Sequence, residues 1–356
     1  MDTLRAVELA DIPQVVALRR RAFTQSAQAS DRALCLYYQM LFFENPWRDA
    51  RYSSLVHEDT GGRIIGFIGL IPRPMLLGDE RITAITTTEL MVTPEARGFV
   101  GPKLLRRAFD GPQDLAYSDR TNSQARALFE SLGGSTALWY SLYWSVSLDG
   151  RRLSFDAHAG PRTHGIASRA VRRASGLFDR LSTRLTRVRS SHLPTRDEPL
   201  SPDIVIGLVR KLSARNTLVP DYDARSFQWL LERLAERKNA GRLVACQVIK
   251  DSDPIGSFVY AIRPNGDTDV AHLVSLPGRE SLVWDHLLRH ASNEGGIILR
   301  GRLDRRFAPI ISELGAPLTV GQPWTVVRSR RQDVATQFLN GNAFFSRLDA
   351  EWWIDA

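Results

Sequence analysis

Apolar residues recur every three or four positions near the start of the chain, where Ile12, Val15, Val16, Leu18 and Phe23 follow Asp11 and Pro13. That period, opened by an acid and a proline, predicts a helix. A second helix is predicted from about Asp31 to Phe43, ended by Asn45, Pro46 and Trp47. The pattern then becomes strand-like in SSLVHED, RIIGFIGLIPRPMLL and ITAITTTELMV, and the turn Thr60-Gly61-Gly62 makes the first two runs an antiparallel hairpin. A loop, PEARGFVGPK, leads into the helix KLLRRAFD. The strand DLAYSDR, the helix NSQARALFESL stopped by Gly133 and Gly134, and a closing strand ALWYSLYWSVSL complete this half. Hairpins mixed with alternating helices and strands imply an α/β protein with a mixed sheet.

From about Gly150 to Pro199 the pattern breaks. Ala170, Ala174, Leu177, Phe178, Leu181, Leu185 and Val188 step by three or four with arginines on the other faces, which predicts a basic amphipathic helix, and SHLPTRDEPLSP then reads as a loop. The earlier order recurs afterwards. DIVIGLVRKLSARN and ARSFQWLLERLAERK read as helices, LVACQVIK and IGSFVYAIR as a hairpin, DVAHLVSL as a strand and ESLVWDHLLRHAS as a helix. GIILRGR, FAPIISELG and PWTVVRSR then read as strand, helix and strand. The repetition is one of element order, not of residues.

A chain of 356 residues exceeds one ordinary hydrophobic core. The expected division is 1–149, a basic helical linker 150–199, and a second domain 200–356. The net charge of +8 is concentrated: between Arg151 and Arg196 eleven arginines face only Asp156 and Asp179, and the remainder is close to neutral. A protein that coats DNA would not be charged in this way. No apolar run reaches the ~18–20 residues of a membrane span, and the first residues carry acids where a signal peptide needs a basic start, so a cytoplasmic protein is expected. Cys35 and Cys246 lie in separate halves and apolar contexts, as reduced buried thiols do.

The most informative stretch is TELMVTPEARGFVGPKLLRRAF. A strand ending at Val92, a loop with two glycines and a helix beginning near Pro102 would aim free amides and a helix dipole at an entering anion, and a pyrophosphate suits such a cradle. VTPEARG followed by a glycine and KLL resembles the coenzyme A pyrophosphate loop of the GNAT (N-acetyltransferase) superfamily. NSQARALFESLGG is similar to the segment this family places near the pantetheine arm, and the order of elements agrees from about Leu4 to Val146.

The resemblance implies that Arg97, Gly98, Val100, Gly101 and Lys103 surround the pyrophosphate of acetyl-CoA or another acyl-CoA. It places Met91 and Val92 beside the pantetheine, and Asn122 and Phe129 where the family contacts the cofactor. Val100 and Pro102 stand where glycine is usual, which stiffens the loop; Pro102 is expected in the first helical turn, where its missing N–H costs nothing. The implied chemistry is direct attack of a primary amine, of a small molecule, amino sugar or peptide, on the thioester.

Such a reaction needs a base for the amine and an acid for the departing thiolate. Glu89, on the strand entering the loop, is the candidate base. The family often places its acid tyrosine where Phe129 stands, so Tyr117 and Tyr140 on neighbouring strands are the candidate acids, and Asp119 is either a second carboxylate or a turn residue. The matching C-terminal loop, HLVSLPGRESLVWDHLL, has Glu280 at its helix entrance, where a carboxylate competes with phosphate for the dipole. This degenerate second GNAT-like copy is expected to bind no coenzyme A. His286 and His290 are four apart on one helix with no third ligand in sequence, so exposed or packed histidines and no metal are expected. WYSLYW and the tail AFFSRLDAEWW read as core packing and domain docking. Two other readings remain open: a Fem-like aminoacyltransferase using aminoacyl-tRNA, or a non-catalytic acyl-CoA-binding or scaffold protein. In these, residues 166–189 would meet RNA or an anionic membrane.

Overall fold

A computed structural model describes residues 2–23, 29–148, 194–214, 216–237, 241–321 and 323–354. The predicted basic helix lies outside the described residues, as does most of the 150–199 linker. The first half contains β1 (Thr3–Ala6), α1 (Ile12–Ala22), α2 (Asp31–Phe43), β2 (Leu55–Glu58), β3 (Ile64–Leu77), β4 (Glu80–Val92), α3 (Arg97–Phe109), β5 (Leu115–Thr121), α4 (Ser123–Ser131), β6 (Ser135–Thr136) and β7 (Leu142–Ser147). The second contains β8 (Arg196–Pro199), α5 (Pro202–Ser213), β9 (Leu218–Pro220), α6 (Ala224–Glu236), β10 (Arg242–Lys250), β11 (Asp253–Ile262), β12 (Asp267–Ser275), α7 (Glu280–Asn293), β13 (Ile298–Arg302), α8 (Ala308–Glu313), β14 (Leu318–Val320), β15 (Trp324–Ser329) and α9 (Gln332–Leu339).

These strands form two mixed sheets with the same internal plan. In the first, β2, β3 and β4 run antiparallel, β4 pairs parallel with β5, and β5 pairs antiparallel with its next neighbour. In the second, β10, β11 and β12 are antiparallel, β12 pairs parallel with β13, and β13 is again followed by an antiparallel neighbour.

That last neighbour corrects the sequence reading. The run Leu142–Ser147 was expected to close the first sheet, but it lies in the second, between β13 and β14. The strand Trp324–Ser329 lies in the first, between β5 and β6. Each half lends the other a strand, and β9 also joins the first sheet against β3. Alternation fixes which face of a strand is buried, not which sheet the strand enters. The stretch expected as a loop before Ser201 contains β8, which pairs with β10.

The largest core lies between the halves. Val15, Tyr38, Leu41 and Phe67 pack there with Val205, Leu208, Phe227, Val259 and Phe344. Outer cores sit under α3 and α4 on the first sheet, around Leu104, Leu105 and Phe129, and under α7 and α8 on the second, around Trp284, Leu287 and Phe307. The C-terminal tail crosses the joint and is buried at Phe344, Phe345, Leu348, Asp349, Glu351 and Trp353. Buried Arg73 holds it, with a guanidinium nitrogen 3.0 Å from the Leu348 carbonyl oxygen and 3.6 Å from the Asp349 carboxylate.

Candidate active site

The parallel pairing of β4 with β5 covers only Ala84–Thr86 against Leu115–Tyr117. Beyond Thr86 the two strands part. Into the opening falls a cavity of about 700 Å³ lined by Thr87, Thr88, Glu89 and Leu90 from one strand and Ser118, Arg120 and Thr121 from the other. This volume is within the range of small-molecule sites.

A bulge shapes the β4 wall. Between the pairs Phe67–Met91 and Gly69–Thr88 the register with β3 slips by one residue, and Glu89 takes a left-handed backbone with φ of 50°. A non-glycine residue there is strained, and the inserted residue redirects the strand. The Glu89 side chain explains how the position is held: its Oε2 accepts from Tyr38 Oη at 2.8 Å and from the Arg19 guanidinium. Arg19 also donates to Tyr38 Oη at 3.1 Å. Arg19 and Tyr38 come from α1 and α2, so both helices fix the bulge.

A second carboxylate closes the opposite wall. Glu351, from the C-terminal tail, is 5% exposed, and its Oε2 accepts from Ser118 Oγ, from the Asp119 N–H at 2.9 Å and from the Arg120 N–H at 3.1 Å. Its own N–H donates to Asp119 Oδ1 at 2.8 Å. Burial and the Asp119 charge push the Glu351 carboxyl up to about 7, against the hydrogen bonds from Ser118 and Thr88 and the Arg120 charge. Arg120 donates to the Ile354 carbonyl at 2.7 Å, extending the seam between tail and β5.

Solved structures share this architecture. The chain superposes on a GCN5-related N-acetyltransferase from Kribbella flavida with TM-score 0.60 and 13% identity, covering 92% of this chain and 72% of that one. A GCN5-related N-acetyltransferase from Anabaena variabilis gives 0.59 and 12%, covering 92% and 73%. A probable N-acyltransferase from Enterococcus faecalis gives 0.59 and 10%, with the same coverages of 92% and 73%. The chain has the GNAT fold. No protein-family model matches the sequence, and no curated protein is similar to it.

The GNAT fold places the sequence-predicted residues unevenly. Glu89, Asn122 and Phe129 line the cavity. Asn122 also caps α4, its side chain accepting from the Ala125 N–H at 2.8 Å, and Phe129 packs edge-on to Phe109. Met91 and Val92 are buried on β4 just beyond the bulge.

The loop expected from Pro94 to Lys103 is helical from Arg97, a correction with two consequences. Val100 and Gly101 turn inward on α3, while Arg97, Gly98 and Lys103 remain exposed. Pro102 lies in the second turn, not the first, and cannot return the hydrogen bond that the Gly98 carbonyl would otherwise receive. The glycine and proline signals of this segment suggested a loop, but the apolar Val100, Leu104 and Leu105 bury against the sheet and carry the helix through. The N-cap of α3, Ala96, has no capping side chain, and Gly98 in its first turn has open space around it.

Tyr117 and Tyr140 are not available as acids. Their hydroxyls are buried and donate to the carbonyls of Asp349 at 2.6 Å and Ala343 at 2.8 Å, and neither residue lines the cavity. Asp119 is committed too, to a buried ion pair with Arg302. Sequence reasoning missed Arg19, Tyr38 and Glu351. An acid inside the apolar run AEWWI was the signal for the last.

Proposed function

We propose that the protein is an acyl-CoA-dependent N-acyltransferase, moving an acetyl or other short acyl group to a primary amine of a small molecule, amino sugar or peptide. The observation that carries this reading is the open β4–β5 cavity with two carboxylates, Glu89 and Glu351, on its walls. The pantetheine arm of the acyl-CoA enters between the parted strands beside Met91 and Val92. Its pyrophosphate meets the first-turn amides of α3 with Arg97 and Lys103.

The amine must be neutral to attack the thioester carbonyl. Glu351, raised toward neutrality, takes its proton, since a base works best with a pKa near the working pH. Glu89, held by Arg19 and Tyr38, keeps the bulge open and sets negative charge where an ammonium group enters. The carbon–nitrogen bond forms as the carbon–sulfur bond breaks, and the proton shed by the new amide nitrogen passes to the departing thiolate, so that coenzyme A leaves as the free thiol.

Calorimetry with acetyl-CoA tests the binding step, and mass spectrometry with a panel of amines tests transfer. The native protein should bind with heat. Arg97→Glu combined with Gly98→Glu, whose new side chain has room, should weaken binding about 10- to 100-fold through the reversed charge at the helix dipole. No uptake of acetyl-CoA by the native protein overturns the proposal.

A further inference from the structure

A cluster of donor side chains on the second sheet is assembled from separate elements and does not depend on the acyltransferase reading. His286 and His290 lie one turn apart on α7, with ring centroids 6.5 Å apart. Beneath them β8 and β10 pair with Asp197 opposite Val248 and Pro199 opposite Cys246. Alternation along the strands places Asp197 and Cys246 on one face, toward the helix.

The reactive atoms converge. Cys246 Sγ is 3.6 Å from His290 Nε2. The Asp197 carboxylate puts one oxygen 3.0 Å from His286 Nε2 and the other 3.7 Å from His290 Nε2. The ligand atoms of Asp197, Cys246 and His290 all lie within 4.8 Å of one another. Each ring uses its other nitrogen on a hydroxyl: His286 Nδ1 is 2.9 Å from Thr195 Oγ1, and His290 Nδ1 is 2.8 Å from Tyr260 Oη. With His290 Nδ1–H donating to Tyr260 Oη, its Nε2 keeps a free lone pair, the arrangement of a ligating imidazole with its supporting shell, while His286 takes the other tautomer, Nδ1 accepting from Thr195 Oγ1 and Nε2–H donating to Asp197.

The spacing of cysteine and histidine also fits a shared metal. Zinc bonds of ~2.3 Å to sulfur and ~2.0–2.1 Å to nitrogen at a tetrahedral angle separate the two ligands by about 3.6 Å, the spacing of Cys246 Sγ and His290 Nε2. Thiolate, imidazole and carboxylate together form a borderline donor set that suits this ion. Asp197, with 43% of its side chain exposed, leaves an entry path, while Cys246 is buried.

We propose that Asp197, Cys246 and His290 bind a zinc(II) ion, with His286 anchoring the far carboxylate oxygen and water completing the coordination. Cys246 releases its thiol proton to solvent as the zinc–sulfur bond forms. The ion ties the short edge strand β8 to β10 and α7. The spacing of the two histidines alone did not show this, because the other ligands come from distant strands.

Cobalt(II) is the probe. Metal-free protein titrated with it should take up one equivalent and develop the sulfur-to-cobalt charge-transfer band and the visible bands of a tetrahedral site, which added zinc erases. Cys246→Ser should lose the charge-transfer band and Cys35→Ser should keep it. Tyr260→Phe, which removes only the supporting hydroxyl, should weaken zinc affinity about 10- to 100-fold. The absence of the band in the native protein, or its persistence in Cys246→Ser, overturns the site. Should Cys246→Ser fail to fold, an unchanged zinc affinity in Tyr260→Phe does the same.

Discussion

The two sheets contain the same discontinuity and put it to opposite use. In the first, β4 and β5 stop pairing after Thr86 and Tyr117 and leave a cavity of about 700 Å³. In the second, β12 and β13 stop pairing after Asp269 and Arg300, and the gap between them keeps only about 30 Å³. The difference lies in what enters. Phe344, Phe345, Phe307 and Trp144 occupy the second gap, around a buried His272. In the first gap no aromatic cluster from the tail enters: threonines, a serine and the separately held carboxylates Glu89 and Glu351 share the walls with Phe23, Ile68, Leu105 and Phe129, and the space between them stays open. One tail serves both places, with Phe344 to Arg347 in the filled gap and Glu351 and Ile354 at the rim of the open one.

The sharpest break in this comparison is at Glu351. Glu351→Gln should lower kcat by about 10²–10⁴-fold, with the KM for acyl-CoA near its original value. It should also remove the rise of kcat through pH about 7 that the raised carboxyl predicts. Steady-state kinetics across pH reads both, and a kcat close to the original would shift the proton-accepting role to Glu89.

Emptying the filled gap is the next test. Phe344, fully buried against the His272 ring, should on substitution by alanine cost about 3–5 kcal/mol of stability. Urea unfolding measures it, and a loss under about 1 kcal/mol would mean the tail does not hold the second gap closed.

The last effect is one of pH. Burial pushes His272 down to about 3 from 6.5, so the unfolded chain takes up a proton that the folded chain refuses. Stability from this group is complete above 6.5 and is lost as pH falls toward 3. His272→Phe should flatten that acid limb in thermal melts, and an unchanged limb would assign it to other groups.

Much of this was legible from the residues, and the failures have physical causes. The limits of α2 and the β2–β3 hairpin followed from period and turn chemistry, because local pattern decides them. β1 escaped because TLRA is too short to show alternation. The helix at Arg97 was hidden by Gly98, Gly101 and Pro102, whose loop-forming tendencies lose to the burial of Val100 and Leu104. Glu89 was singled out because the resembled family often has a carboxylate on the strand entering this loop, and it lines the cavity. Its partners Arg19 and Tyr38, and the facing Glu351, were not readable, since only the fold brings them near it.

The borrowed strand between β5 and β6 has a bearing on synthesis. While the ribosome is still decoding the second half, the first sheet lacks the neighbour that β5 needs, and Glu351 has yet to emerge. A chain arrested anywhere before Trp324 therefore carries an exposed, unpaired edge and no complete pocket, and is a natural target for chaperone capture or degradation.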